Sequence, residues 1–443
     1  MDSTSKAPRL FDRLAVPPWL PRVAQTVPFR LAVVVVALAV HLAAIVILGQ
    51  ERFGLPFNRA PHEAPHLVHP NDVAPKQWDR LIVSRWDSGH YLSIATRGYS
   101  MCPKEGFPTA NFAPYQWTCD LAFFPTYPWI GWLASFGGRV ALDYTLWIVS
   151  LVCSAIFLFL WTGPPIVERM GLGPTWVSFL MLNGFTTAYC LVTVQTEPLA
   201  LVLTLGALVA LMRKRYLLGA LVAGAATAVR VTAVSTGVAY GLALVAVTVA
   251  EWPLTGRALA RRVLEMVLSG WGILALLIYY GLRFHDPFIY SHAHAATHGH
   301  HPSLARLFPP DVDQVAMAID HPMHEGIWLA AGLLWFGLGH KEAMSRFSRP
   351  ERIFCYALFV MCVGVACYGT ADLAFQGMNR YLLLCIPLFF AMAATTARRP
   401  FVLVLWLLLG TWHYWNIDLC EYAGGPGNNT LNQCHAQHWI GRI

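Results

Sequence analysis

A carboxylate, an imidazole and a phenol lie close together in the segment 85–91 of this chain. Asp87, His90 and Tyr91 are spaced i, i+3 and i+4, so a helix would place them on one face. A face of this composition suits proton transfer at a boundary between membrane and water. The alternative is that Asp87 pairs with Arg85 or Arg97 at the surface.

Two short helices are predicted to carry these residues and their surroundings. The first is an amphipathic helix on the membrane surface, indicated by apolar residues at helical spacing, namely Trp78, Leu81, Ile82 and Trp86. The second covers 123–136, where Pro125 and Pro128 leave about a dozen helical residues, too few to span a bilayer. It is therefore predicted to be interfacial or re-entrant.

The composition indicates an all-α polytopic membrane protein. Of the 443 residues, 56% are hydrophobic and 12% are charged, which is about half the charged fraction of a soluble domain. Several apolar runs reach the roughly 20 residues that cross hydrocarbon. The formal charge of +7 comes from Lys and Arg between apolar runs, so it reports topology and not nucleic-acid binding. No removable signal peptide is expected.

The distribution of basic residues predicts eleven crossings. A cytoplasmic tail (1–30) precedes a transmembrane domain (31–416), whose first span, roughly 31–48, leads into a long outer loop (50–140); an outer tail (417–443) ends the chain. The further spans are predicted at roughly 142–162, 174–194, 197–212, 216–231, 233–250, 263–283, 326–340, 352–371, 379–396 and 400–416. With this topology the basic connections, including 213–215 and 398–399, are all cytoplasmic.

The same topology gathers polar residues on the outer side. Outer turns contain Gln195-Thr196-Glu197, Arg230, Arg283 to Asp286, and Asp372 through Asn379 and Arg380. Ionisable residues at membrane depth are costly and usually line a cavity or a pathway. We therefore expect a shared polar cleft beside Asp87.

Cysteines and histidines raise two further questions. Cys102 and Cys119 flank part of the outer loop and Cys420 and Cys434 flank part of the outer tail, so both pairs are candidate disulfides in an oxidising compartment.

A histidine-rich stretch contains His285, His292, His294, His298, His300 and His301. With few carboxylates and flexible spacing, it is read as a polar, pH-sensitive loop, and a metal site is the less favoured alternative. No cofactor is expected.

Several motifs resemble the PIG-V family, which comprises the second mannosyltransferase of GPI-anchor synthesis and bacterial relatives. They are Arg85-Trp86-Asp87-Ser88-Gly89-His90-Tyr91, Ala122-Phe123-Phe124-Pro125-Thr126-Tyr127-Pro128, Gln195-Thr196-Glu197-Pro198, Ala226-Thr227-Ala228-Val229-Arg230 and Asn379-Arg380-Tyr381. The chain departs from the family pattern at Pro198 and at Val231-Thr232. The resemblance runs from Trp86 to about Pro387.

The resemblance implies a GT-C-like fold and an enzyme that uses a polyprenyl-phosphate sugar on the non-cytoplasmic face. It places Asp87 as the catalytic base. The substrate-binding candidates are Arg85, His90, Tyr91, Tyr127, Glu197, Arg230, Asn379 and Arg380. The expected activity is inverting transfer of mannose to a membrane-associated lipid or glycan acceptor, without a metal ion.

The leaving polyprenyl phosphate would need cations or hydrogen-bond donors already in place. Arg380, Arg230 and His90 are the candidates, in that order. The planar fork of Arg380 can hold two phosphate oxygens, although it could instead be an interfacial anchor for lipid headgroups. Two other functions compete with transfer: a lipid or oligosaccharide flippase, and a non-catalytic subunit of a glycosylation complex. The expected location is a bacterial plasma membrane, with the endoplasmic reticulum as the alternative.

Overall fold

The computed structural model describes residues 20–53, 83–84, 87–99, 120–298, 325–368, 378–396 and 399–414. Within these ranges every regular element is helical, which confirms the all-α prediction. In chain order the longer helices are α1 (Val27–Phe53), α2 (Ser88–Arg97), α3 (Thr126–Ala134), α4 (Leu142–Trp161), α5 (Pro164–Met170), α6 (Leu172–Asn183), α7 (Glu197–Met212), α8 (Tyr216–Thr227), α9 (Val234–Ala250), α10 (Gly256–Leu268), α11 (Trp271–Phe284), α12 (Ile289–His298), α13 (Glu325–Met344), α14 (Arg349–Tyr368), α15 (Met378–Leu383), α16 (Ile386–Thr396) and α17 (Pro400–His413).

Several helices have the length and composition of membrane spans. Three stretches are long and apolar enough to cross a bilayer: Val27–Ile47, Leu142–Trp161 and Val231–Ala250. The pair α10 and α11, bent by 58°, forms a fourth candidate if it is counted as one span. Shorter apolar helices, including α7 and α16, accompany them. The protein is therefore a membrane-embedded helical protein.

Three predicted spans are interrupted by breaks in the helix. The apolar run 174–194 is helical only as far as Asn183, where α6 ends. The run 379–396 is divided between α15 and α16, and Pro387 lies in the first turn of α16, where its missing N–H is tolerated. The run 263–283 bends between α10 and α11. Apolar composition alone predicted the runs, but it does not report where backbone hydrogen bonds change partners.

The stretch after α6 contains a short 3-10 helix, Ala188–Leu191, and is otherwise irregular. Residues 185–196 are all shielded from solvent. Its carbonyl groups obtain partners from side chains of α4. Trp147 Nε1 donates to Val192 O at 2.9 Å, Ser154 Oγ to Leu191 O at 2.6 Å, and Ser150 Oγ to Gln195 O at 3.2 Å. Non-helical backbone at membrane depth requires such internal partners. These bonds fix the turn that leads into α7.

Close helix contacts hold the bundle together. α13 packs on α16, α9 packs on α14, and α7 lies against both α4 and α8. At the bend between α10 and α11, a Cβ on Gly272 would overlap the backbone oxygen of Gly224 in α8. Small residues permit this approach, as they do in many membrane helix pairs.

The two short helices between α1 and α4 are α2 and α3. α3 has nine residues, so it is too short to cross, as predicted. Residues 88–95 of α2 are buried, so this helix lies inside the protein and the prediction of a surface helix was wrong for this part. The interior position arises because α2 packs against α3 and α4. Residues 78–82, Arg85 and Trp86 lie outside the described ranges.

Candidate functional site

The guanidinium group of Arg380 binds three side chains that are distant from it in the sequence. Its Nε donates to Glu197 Oε1 at 2.7 Å, its Nη1 donates to Asp87 Oδ2 at 2.9 Å, and its Nη2 donates to Gln195 Oε1 at 2.9 Å. Arg230 also pairs with Glu197 Oε1 through Nη1. We call these five residues the Arg380 cluster. The predicted convergence of Gln195, Glu197, Arg230 and Arg380 beside Asp87 is what the structure contains.

Charge and exposure vary across the Arg380 cluster. Two guanidinium groups face two carboxylates, so the formal charge is zero. The side chain of Glu197 is 0% exposed, whereas those of Asp87 and Arg380 are 20% and 23% exposed. The cluster therefore has a buried end at Glu197 and an open end at Asp87. A substrate would meet Asp87 and Arg380 first.

Each member is placed by the end of a helix or by a turn. Asp87 is the N-cap residue of α2, but its side chain does not cap the helix and binds Arg380 instead. Glu197 is the first residue of α7, where the helix dipole favours a negative charge. Arg230 follows α8 in an extended conformation, and Arg380 lies in the six-residue helix α15.

Tyr91 and Tyr127 support the cluster from the protein interior. The Tyr91 hydroxyl lies 3.4 Å from Thr196 Oγ1, next to Glu197, and its ring packs edge-to-face on Tyr127 at 5.4 Å between centroids. Burial raises the pKa of Tyr91 well above its usual value, so the phenol stays neutral. Tyr127 is fully buried and its hydroxyl donates to Leu146 O at 2.8 Å. Tyr127 thus braces α3 against α4.

His90 has a different partner from Asp87 and Tyr91, although all three were predicted to share one face. Its Nδ1 lies 2.8 Å from Asp120 Oδ1, and its ring stacks on Phe123 with centroids 4.2 Å apart. Asp120 is fully buried. Asp120 is not among the site residues predicted from the sequence. The signal available was a carboxylate two residues before the Ala122-Phe123-Phe124-Pro125 motif.

The remaining predicted residues are placed outside the Arg380 cluster or outside the described ranges. Asn379 is buried, and its backbone carbonyl accepts a hydrogen bond from Thr187 Oγ1 at 3.1 Å. Asp286 pairs locally with His292 at 2.6 Å. Outside the described ranges lie Arg85 and the four cysteines of the predicted disulfides, Cys102, Cys119, Cys420 and Cys434.

Metal ligation and disulfide bonding are the two other chemistries that bear on the part of the chain that the structure describes. No group of three or more His, Cys, Asp or Glu side chains there is arranged to hold a metal ion. The cysteines with described side chains are free thiols, namely Cys153, Cys190, Cys355, Cys362 and Cys385. The Arg380 cluster contains four charged side chains joined by three ion pairs. It combines a partly exposed carboxylate with cations suited to an anionic ligand.

Comparisons with known proteins identify no relative. No protein-family model matches the chain, and neither the curated proteins nor the solved structures contain a match.

Proposed function

We propose that the protein is an inverting glycosyltransferase. It moves a sugar, with mannose as the preferred candidate, from a polyprenyl-phosphate donor to a membrane-associated lipid or glycan acceptor. The observation that carries the proposal is the contact between Asp87 and Arg380, which joins a partly exposed carboxylate to a guanidinium group. Transfer from a sugar phosphate requires both, because one group must accept a proton and another must stabilise a phosphate.

In this proposal Asp87 is the base. The acceptor oxygen attacks C1 of the sugar, its O–H bond breaks, and the proton passes to Asp87. The bond between C1 and the phosphate oxygen breaks with its electron pair remaining on the polyprenyl phosphate. A β-linked donor gives an α-linked product. Both substrates are anchored in the same bilayer, so positioning contributes much of the rate.

The ion pairs of the Arg380 cluster couple these two events electrostatically. While Asp87 is a carboxylate, it neutralises part of the charge of Arg380. When Asp87 takes up the proton, the formal charge of the cluster changes from zero to +1. That charge appears as the leaving phosphate gains negative charge, so Arg380 becomes a stronger partner for the phosphate at the moment of bond breaking. Arg230 contributes through the Glu197 carboxylate that the two arginines share.

The finer architecture belongs to the same proposal. The motifs from Trp86 to about Pro387 resemble the PIG-V family, and we propose a GT-C-like domain on that basis. The apolar runs and the basic connections between them support about eleven crossings. The active site then lies on the extracytoplasmic face of a bacterial plasma membrane.

The test is sugar transfer by the purified full-length protein in lipid discs. We expect labelled mannose to move from polyprenyl-phosphate mannose to a lipid or glycan fraction extracted from the source membranes. Asp87→Asn is the matched inactive control. Failure of the wild-type protein to consume any polyprenyl-phosphate hexose would overturn the proposal. Movement of the labelled lipid across a liposome bilayer without sugar transfer would favour a flippase.

A further inference from the structure

The fully buried carboxylate of Asp120 defines the state of the His90 imidazole. Asp120 Oδ1 lies 2.8 Å from His90 Nδ1, and Asp120 Oδ2 accepts a hydrogen bond from Ser93 Oγ at 2.6 Å. A carboxylate accepts hydrogen bonds and cannot donate them, so Nδ1 carries the hydrogen. In the neutral ring, Nε2 is therefore the nitrogen that can take up a proton.

The orientation of the ring is fixed by the same segment of chain. The imidazole stacks on Phe123 at 4.2 Å with an angle of 15° between the rings, and Phe123 directly follows the short 3-10 helix Asp120–Ala122. The His90 side chain remains 9% exposed. A carboxylate that orients one nitrogen of a partly accessible histidine is the arrangement by which histidine serves in proton transfer.

A glycosyltransferase with Asp87 as base needs such a group. Each transfer leaves one proton on Asp87, and the carboxylate must lose it before the next cycle. Arg380, which donates to Asp87, is permanently charged and cannot accept a proton. Tyr91 remains a neutral phenol and is no better an acceptor.

His90 follows Asp87 by three residues. Asp87 has right-handed helical backbone angles, and Tyr91 N donates to Asp87 O at 3.2 Å, so the helical spacing begins at Asp87. Residues three apart on a helix have Cβ atoms about 5–6 Å apart. A single water molecule can bridge side chains at that separation. The side chain of Asp87 is 20% exposed, and the largely buried side chain of His90 keeps 9% of its surface exposed.

We propose that His90 takes the proton from Asp87 after each sugar transfer, and that Asp120 is the positioning residue that keeps His90 ready to accept it. The inference rests on the proposed function. The proton leaves the Asp87 carboxyl group, passes through water to His90 Nε2, and gives an imidazolium ion paired with Asp120. Release to bulk water restores the neutral ring, while Asp87 returns to its ion pair with Arg380.

An alternative role for Asp120 is purely structural. By binding His90 and Ser93, which lie one turn apart, it also docks α2 onto the chain before α3. The two roles differ in what the loss of Asp120 does once His90 is absent. If Asp120 acts only through His90, replacing it in the absence of His90 lowers kcat no further. If Asp120 docks α2, replacing it still removes a stabilising bond and lowers kcat again.

The experiment compares full-length His90→Ala, Asp120→Asn, their double variant and Ser93→Ala in lipid discs, with kcat and KM for mannose transfer. We expect His90→Ala to lower kcat about tenfold or more with little change in KM, and added imidazole to restore part of the rate. Asp120→Asn should lower kcat similarly, and the double variant should lose no more than His90→Ala alone. Ser93→Ala, which removes a docking bond and keeps the His90–Asp120 pair, should change kcat less than about twofold.

Three results would overturn the inference: wild-type kcat in His90→Ala, a loss that imidazole does not restore in a protein that still unfolds cooperatively, or an additional loss in the double variant. Inactivity of the wild type toward the donor would count against the proposed function itself. The two failures are therefore distinguishable.

Discussion

Asp87 and Arg380 are 293 residues apart in the chain, and a 2.9 Å hydrogen bond joins their side chains. The contact links the start of α2 to the six-residue helix α15. Arg380 uses its other two nitrogens for Glu197 and Gln195. The position of Asp87 is therefore defined by the turn before α7 as well as by α2. Substitutions in either segment should alter the position of the Asp87 carboxylate.

Asp87→Asn should abolish transfer while folding and donor binding remain close to normal. The amide has the size of the carboxylate and can still accept a hydrogen bond from Arg380, but it cannot take up a proton. Loss of base catalysis lowers rates by roughly 10²–10⁴-fold. Single-turnover transfer and donor binding would be measured on the same preparation. Retention of more than about a tenth of the wild-type rate would remove Asp87 as the base.

Arg380→Lys should impair use of the polyprenyl donor strongly, and Arg380→Ala should approach the inactivity of Asp87→Asn. Three separate nitrogens of Arg380 are used in the structure, and an ammonium group has no planar fork with which to replace them. Steady-state kinetics with varied donor concentration provide the measurement. If Arg380 were only an anchor for lipid headgroups, the lysine variant would have unchanged kinetics, and Arg230 would become the next candidate for the phosphate.

Glu197→Gln should destabilise the protein. Glu197 is fully buried and pairs with both Arg230 and Arg380, so its neutralisation leaves two guanidinium groups facing one carboxylate. Removal of one member of a buried ion pair typically costs roughly 3–5 kcal/mol. Thermal unfolding in a fixed detergent gives the comparison. The double variant Glu197→Gln, Arg230→Gln restores the formal balance and should recover part of the loss; a single variant as stable as the wild type would contradict the prediction.

Gly272→Val should weaken the packing of α11 on α8. The added side chain overlaps the backbone oxygen of Gly224, which cannot move independently of its helix. Overpacking of this kind costs about 1–3 kcal/mol. The matched control is Gly337→Ala in α13, where a Cβ meets no atom within 4 Å. Thermal unfolding should separate the two variants, and equal stability would argue against the close contact.

Cys102–Cys119 and Cys420–Cys434 remain predicted disulfides. Closing loops of this length stabilises a protein by roughly 3 kcal/mol in the chain-entropy model. Peptide mapping without reductant should recover both linked pairs from protein isolated from its native membrane. Recovery of all four as free thiols would reject either the outer placement of these segments or their oxidising environment.

The sequence was informative where charge interrupts an apolar run and uninformative where the backbone breaks inside one. Glu197, Arg230 and Arg380 were expected to converge because ionisable residues at membrane depth are costly and usually pair with one another. The end of α6 at Asn183 was not expected, because apolar composition continues to 194. The irregular backbone that follows is stabilised by side chains of α4, such as Ser154, and contacts over that distance leave no local pattern.

The His90–Asp120 pair was missed for a related reason. His90 was assigned to the same face as Asp87 from helical spacing alone, and that spacing does not say which neighbour a ring turns toward. Its partner lies 30 residues later, beyond a stretch of chain with no regular pattern. The available signal was the carboxylate of Asp120 shortly before the Ala122-Phe123-Phe124-Pro125 motif. Its contact with His90 is revealed only by the packing of α2 on the short 3-10 helix Asp120–Ala122.

The arrangement of two arginines around Glu197 has a consequence for biosynthesis. Glu197 leaves the ribosome before Arg230, and Arg230 long before Arg380, so a membrane-inserted intermediate can first form the neutral Glu197–Arg230 pair. When Arg380 arrives, Asp87 supplies the second negative charge. Before Arg380 is inserted, Asp87, Glu197 and Arg230 together carry a net charge of −1, which Arg380 brings to zero. The balanced Arg380 cluster is therefore complete only after Arg380 has been synthesised and inserted.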